Sequence, residues 1–186
     1  MLSETVLNET MFAACDLSKQ CLAGLSMEGA QFNEATLHEC DFSYCSMSRC
    51  NFSESVIQRA RFYFAEAPNC LFVNADLKDT DMRGARLSQS LWSEAHLQRV
   101  DFREATVDYS FFGKATLADC DMSASNLQFS DFSYANLTGT RMRDVLLEQT
   151  KFHRALTDDS SLKSRQGAIE KDKALFEAEL WSAEAL

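Results

Sequence analysis

The sequence predicts an all-β solenoid of about eight coils followed by a C-terminal α-helix, and three periodicities carry that prediction. Every fifth residue from Leu2 to Phe152 is apolar, thirty-one positions in one unbroken phase, with Ala67 the only small side chain among them. A chain that is 46% hydrophobic would fill those positions by chance with a probability on the order of 10⁻¹⁰. The phase two places earlier, from Thr5 to Ala155, holds Ala, Ser, Thr, Cys or Val everywhere except at Gln20 and Leu25. Stepping by twenty sorts the large positions into columns: Phe12, Phe32, Phe52, Phe72, Trp92, Phe112, Phe132 and Phe152 form one, and Leu17, Leu37, Ile57, Leu77, Leu97, Leu117 and Leu137 another. A period of five fits neither a helix nor a flat strand, so the unit is a short extended piece plus a corner, repeated. Four such units close a coil. Alternating small and large inward side chains are what a narrow interior packed near crystal density accepts.

Along the chain, the coil phase opens at Leu2 with no capping segment ahead of it, and its poorest stretch, Gln20, Cys21 and Leu25, lies nearby. That end frays or is covered by another molecule. Ala67-Pro68 removes a core side chain and a backbone donor, and Trp92 oversizes the Phe column; both are sites of local bending or tolerated packing variation. At about 4.8 Å per rung the coils make a rod roughly 37 Å long. After Thr157-Asp158-Asp159-Ser160-Ser161 the period fades, which divides the chain into a coil at 1–156 and a terminal segment at 157–186. From about Ser164 to Glu184 there is no Pro, and Ala168, Ile169, Leu175, Phe176, Leu180, Trp181 and Ala183 fall on a broad helical face. This is the expected capping or dimerisation helix, folded over the last coil or over a partner's.

Runs such as Ala75-Asp76-Leu77-Lys78-Asp79, Cys120-Asp121-Met122-Ser123-Ala124 and Ala135-Asn136-Leu137-Thr138-Gly139 resemble the A(D/N)LXX unit of the pentapeptide repeat family over about residues 2 to 156. The resemblance implies a right-handed quadrilateral β-helix with the central Leu or Phe and the preceding small residue pointing inward.

Six of the seven cysteines, Cys15, Cys40, Cys45, Cys50, Cys70 and Cys120, occupy the small inward phase where Ala and Ser stand elsewhere, so they read as core filler. Cys50 and Cys70 stack in adjacent coils but are poorly aimed for a bridge. The odd count, with no secretory segment and no long apolar run, points to a reducing cytoplasm and no membrane span. His38, His96 and His153 map to separate coils or sides, metal-ligand spacings are missing, and the Ser and Thr residues are repeat positions. The chain therefore reads as a non-enzyme with no catalytic residue, no metal site and no cofactor.

A net charge of −10 disfavours phosphate contacts and hence direct nucleic-acid binding. An acidic ladder at Asp81, Asp101 and Asp121 lies on one edge in successive coils, and Glu34 and Glu54 stack on another. The position before the central residue is commonly Asp or Asn in the resembled family, for local hydrogen bonding, and Arg83 and Arg103 stand close enough to neutralise much of the ladder. Outward apolar residues form two groups: Tyr44 and Phe64 one coil apart with Tyr63 beside them, and the column Leu71, Leu91 and Phe111 with Tyr109 and Phe129 just around the corner. Stacked outward hydrophobes make contiguous patches, which mark interfaces or inter-coil ladders.

Two functions follow. The first is a protein–protein interaction scaffold, a rigid acidic rod presenting stacked side chains to a protein partner and forming a homodimer through the terminal helix or an apolar patch. The second is implied by the resemblance: some pentapeptide repeat proteins mimic duplex DNA and occupy the DNA-binding saddle of type II topoisomerases such as gyrase. This chain is similar in length, acidity and uninterrupted coil, but it lacks loop insertions, and Arg61, Arg83, Arg103 and Arg143 interrupt its acidic rows. A component of secretion or effector delivery belongs to the first class as far as the residues go.

Overall fold

In the computed structural model, which describes residues 6–158 and 166–184 with side chains as far as residue 180, the chain is a β-helix solenoid. Leu2 and Thr5, where the repeat phase opens, and residues 159–161, where it fades, lie outside the described residues. Each rung pairs in parallel with the one twenty residues on, as in the ladder Met11, Gln31, Asn51, Leu71, Leu91, Phe111, Asp131 and Lys151. Four such ladders run the length of the coil. Most are single-residue bridges. In one ladder they widen into three strands, β1 (Asp76–Lys78), β2 (His96–Gln98) and β3 (Thr116–Ala118), ordered β1-β2-β3 with Leu77, Leu97 and Leu117 in register.

The hydrogen bonding explains why the unit is five residues long. In a typical unit the central N–H donates to the coil above (Phe32 to the Asn51 carbonyl, 2.7 Å) and the preceding N–H to the coil below (Asn51 to the Ala30 carbonyl, 3.0 Å). The residue two after the centre turns the corner: every one from Glu9 to Arg154 has positive φ, and only Gly24, Gly29, Gly84 and Gly139 among them are glycine. A left-handed residue costs roughly 1–2 kcal/mol. Here its N–H goes to the next coil, as Glu34 to the Ser53 carbonyl at 2.9 Å, so each corner is held by the lattice rather than by its own preference.

Two aromatic stacks meet edge-on inside the coil, alongside the buried aliphatic columns. Phe32, Phe52 and Phe72 are fully buried with ring centroids 4.9 Å apart, and Trp92 continues the column 3.9 Å above Phe72. Phe42 and Phe62 stack beside them at 4.8 Å and meet the first column edge-on, an arrangement aromatic quadrupoles favour. The first coil has nothing beneath it among the described residues: Leu7, Phe12, Leu17 and Leu22 are only half-buried and Met11 is 68% exposed.

The cysteine column has a role beyond filling space. Cys45, Cys50 and Cys70 each donate an S–H to the carbonyl of the central residue twenty-three places back, Leu22, Met27 and Met47, at 2.9 to 3.0 Å. Thr80, Ser110, Ser130 and Thr150 bond the equivalent carbonyls through hydroxyls. The inward small residue thus satisfies a buried carbonyl, as a dry interior requires. Cys15, placed in the same phase by the sequence, is exposed because it belongs to the open first coil.

At the other end, the helix is shorter than the pattern from Ser164 suggests: α1 spans Lys173–Glu184, with Asp172 as its cap. Ala168 and Ile169, which the sequence places on the helical face, lie in an extended segment instead. Ile169 bridges Lys151, its N–H donating to the Thr150 carbonyl at 2.7 Å and its carbonyl accepting from the Phe152 N–H at 2.8 Å. An open ladder edge demands pairing, and that demand outweighs helical periodicity here. Gly167 makes the approach possible, since at φ +84° a Cβ would stand 3.1 Å from the Glu148 Cα.

Candidate binding surface

The coil turns the outward residue of each rung into a column. Leu71, Leu91 and Phe111 are consecutive bridge partners, with Leu91 41% and Phe111 39% exposed and Leu71 half-buried. The Phe111 ring lies along the face over Gly113, where a Cβ would sit 2.4 Å from it. At the adjoining corner the exposed rings of Tyr109 and Phe129 stack at 4.8 Å and 7°. These five residues share one side of the rod.

The second group forms a compact cluster at a different corner. Tyr44 and Phe64 are parallel at 6.1 Å, and Tyr63 stands edge-on to both, 5.7 Å from Tyr44 and 4.6 Å from Phe64. The Arg83 guanidinium lies 5.2 Å from the Tyr63 ring, and the Phe64 ring lies against Gly84 of the coil above. The two groups flank opposite edges of the ladder Ser46, Glu66, Arg86, Thr106, which separates them.

Asp81, Asp101 and Asp121 are bridge partners in register. Each accepts the N–H two residues on, from Arg83, Arg103 and Ser123 at 3.0 to 3.1 Å. Asp41, Asn51, Asn126 and Asp131 do the same, so Asp or Asn at this position caps its own corner. The ladder is also paired: Arg83 lies 2.7 Å from Asp81 and 3.7 Å from Asp101, Arg103 2.6 Å from Asp101, and Arg141 3.7 Å from Asp121. Burial alone would raise the Asp81 carboxyl, but the Arg83 hydrogen bonds outweigh it and hold it below the ordinary aspartate value. Asp121 behaves alike, with Ser123, Arg103 and Arg141 overcoming burial. Glu34 and Glu54, at a further corner, are exposed.

Burial pushes the Cys45 thiol up to about 11 and Cys120 to about 12, away from nucleophilic thiolate chemistry. Among the described residues no group of three His, Cys, Asp or Glu side chains could hold a metal ion, and no helix is long and apolar enough to cross a membrane.

Helix α1 is fastened by polar contacts that sequence reasoning did not foresee. Glu179 accepts from Tyr134 and from the Arg154 guanidinium at 2.6 Å and stands 3.3 Å from the buried His153 ring, whose Nδ1 accepts the Asp172 N–H at 3.2 Å. Lys151 pairs with Asp172 at 2.9 Å. Leu175 and Phe176 are half-buried and Leu180 is 48% exposed, so this helix buries no described apolar side chain completely. The Trp181 side chain lies outside the described residues. The Lys151 hydrogen bond lowers the Asp172 carboxyl from its ordinary 3.8, so its contribution to docking is present above that value and is lost as pH falls through the depressed one. Acidification below about pH 4 should therefore lower the amide protection factors, corrected for the intrinsic pH dependence of exchange, across residues 174–180 before those of the central coils. Unchanged protection there at pH 3 would discount this attachment.

A profile of pentapeptide repeats matches the chain in eight overlapping copies between residues 10 and 149. No curated protein matches it. Among solved structures, the chain is similar to a trypsin-treated variant of QnrB1, a plasmid-mediated fluoroquinolone resistance protein, at 18% identity over 97% of this chain and 88% of that one, with a TM-score of 0.45. It is similar to HetL, a pentapeptide repeat protein involved in heterocyst differentiation regulation in the cyanobacterium Nostoc sp. strain PCC 7120, at 20% identity over 91% and 88%, with a TM-score of 0.38. A third is a pentapeptide repeat protein of the Arabidopsis thaliana thylakoid lumen, at 18% identity over 80% and 72%, with a TM-score of 0.24.

Proposed function

The chain belongs to the pentapeptide repeat family, and from that premise we propose that it is a non-enzymatic scaffold that binds a protein partner through the apolar surface of Leu71, Leu91, Phe111, Tyr109 and Phe129. The observation that carries this reading is that large apolar side chains stand outward in three successive rungs of one ladder, Leu71, Leu91 and Phe111, beside the stacked Tyr109 and Phe129, with all but the half-buried Leu71 exposed. The lattice beneath them is hydrogen-bonded on both sides, so the surface is rigid before contact and little ordering cost falls on association. In the same reading the coil is right-handed and quadrilateral; four ladders per twenty residues support the four sides. The exposed Leu180 and half-buried Phe176 make α1 the element that joins two copies.

Binding to gyrase or another topoisomerase as a DNA mimic draws support from the charge of −10. It also needs an uncompensated row of carboxylates, and Arg83, Arg103 and Arg141 compensate the row that the coil aligns. The apolar surface is therefore the stronger basis. Capture from an extract of the source organism, run side by side with wild type, Leu91→Glu and Phe111→Glu, tests it. The partner recovered by wild type should fall at least about tenfold with either variant while circular dichroism stays unchanged, since both side chains point away from the core. Equal recovery would remove this surface from the account.

A further inference from the structure

We infer that the segment received by this surface is a basic amphipathic α-helix of a different protein, lying along the rod axis over Leu71, Leu91 and Phe111; the inference rests on the scaffold reading above.

Backbone pairing cannot supply the contact. In these rungs the Leu91 N–H donates to the Cys70 carbonyl at 3.0 Å and its carbonyl accepts from Phe72 at 2.7 Å, while Phe111 is bonded likewise to Ser90 and Trp92. A strand has no edge to join on this face, so side chains must make the interface. Their spacing then selects the partner. The column offers one apolar group per rung, about every 4.8 Å, whereas same-face side chains of an extended strand recur about every 6.7 Å and drift by about 2 Å at each step. An α-helix presents one apolar group per turn, about every 5.4 Å, and stays within about 2 Å of register over three rungs. About a dozen helical residues cover the distance. The floor is low because Phe111 lies over Gly113 instead of standing upright, and Tyr109 with Phe129 walls one side.

Charge fixes the flanks. The corner opposite that wall carries Glu54 and Glu94, and Asp108, Asp131 and Glu148 lie around the apolar group. Each nearby cation already faces a carboxylate: Lys114 lies 3.9 Å from Glu94, Arg86 on the adjoining side 3.4 Å from Glu66, Arg49 4.0 Å from Glu28, and Lys151 is held by Asp172. An acidic border around an apolar floor suits a helix whose polar face is Lys or Arg. The protein's own α1 has the opposite character, with Glu177, Glu179 and Glu184 against Lys173, so a second copy is the wrong occupant.

Three fluorescein-labelled synthetic peptides of fourteen residues test this against the full chain by anisotropy: one with Leu at i, i+4, i+7 and i+11 and Lys elsewhere, one with the same stripe and Glu elsewhere, and one of the Lys composition with Leu at alternate positions. The Lys helix should bind at least about tenfold tighter than the other two. Leu91→Ser and Phe111→Ser should each weaken it at least about fivefold without changing net charge, and Glu54→Lys with Glu94→Lys should narrow the gap between the Lys and Glu helices. Equal binding of the Lys and Glu helices, equal binding of the alternating peptide, or indifference to Leu91→Ser and Phe111→Ser would overturn the inference. So would a wild-type dimer that Phe111→Ser converts to monomer, because the occupant would then be a second copy. If extract capture is lost with Leu91→Glu and Phe111→Glu while the peptides fail, the helix inference falls and the scaffold stands; if extract capture is indifferent, the scaffold reading itself falls.

Discussion

Replacing Trp92 with alanine lowers the free energy of unfolding by about 3–5 kcal/mol, the cost of deleting a buried indole from a column that cannot collapse around the gap. Its neighbours are fixed from both sides: Phe72 is 3.9 Å below and Phe112 5.5 Å above, and both backbones are tied to the coils that flank them. The companion Trp92→Phe should cost under about 1 kcal/mol. The indole Nε1 is buried with no hydrogen-bond partner, so the smaller ring loses contact area but also removes an unmet donor worth about 1–3 kcal/mol. Urea denaturation of the three proteins checks the pair. A phenylalanine as costly as alanine would mean that the indole nitrogen is satisfied in solution or that the column is not closely packed there.

Ser110→Ala is expected to cost about 1–3 kcal/mol although it deletes a single buried oxygen. Ser110 Oγ accepts the Ser90 N–H at 3.1 Å and donates to the Leu87 carbonyl at 3.1 Å, while Ser90 and Ser130 play the same part for Cys70 and Ser110. The Ser90, Ser110 and Ser130 hydroxyls therefore form a ladder along the interior, each serving the backbone of the coil below. Removing one strands a buried N–H. Ser125→Ala is the control, because its hydroxyl bonds only the Met122 carbonyl within its own corner at 2.6 Å, and its loss should cost about 1 kcal/mol. Equal midpoint shifts for the two variants would contradict the inter-coil role.

That ladder also marks where sequence reasoning ran out. The inward phases and the columns twenty residues apart were legible because burial in a narrow tube admits few side-chain sizes, and Phe32, Phe52 and Phe72 stack as that spacing requires. Ser, Thr and Cys in the small phase read as size alone; their bond to the carbonyl twenty-three residues back depends on how coils sit over one another, which no local pattern encodes. A usable trace of the left-handed corner was present in Gly24, Gly29, Gly84 and Gly139, with Asn69, Asn74 and Asp79 in the same phase. At the C-terminus, helical periodicity overran its true start because Ile169 answers a ladder edge, a tertiary demand. The Glu179 cluster was invisible, since Tyr134, His153 and Arg154 lie far from Glu179 in sequence and meet only when α1 folds back. On the surface, the apolar column, the acidic ladder and its neutralisation by Arg83 and Arg103 were all placed by phase, and the coordinates add Arg141 beside Asp121 and the exposure of Leu91 and Phe111.

Every surface inference depends on side chains twenty residues apart standing in columns. Pulsed electron–electron resonance between spin labels at Gln31 and Asp131, outward on the same ladder and five rungs apart, with exposed Cys15 and Cys21 changed to Ser, reads this directly. The coil predicts one narrow distribution near 24 Å, from about 4.8 Å per rung. A broad distribution, or a mean beyond about 35 Å, would contradict it.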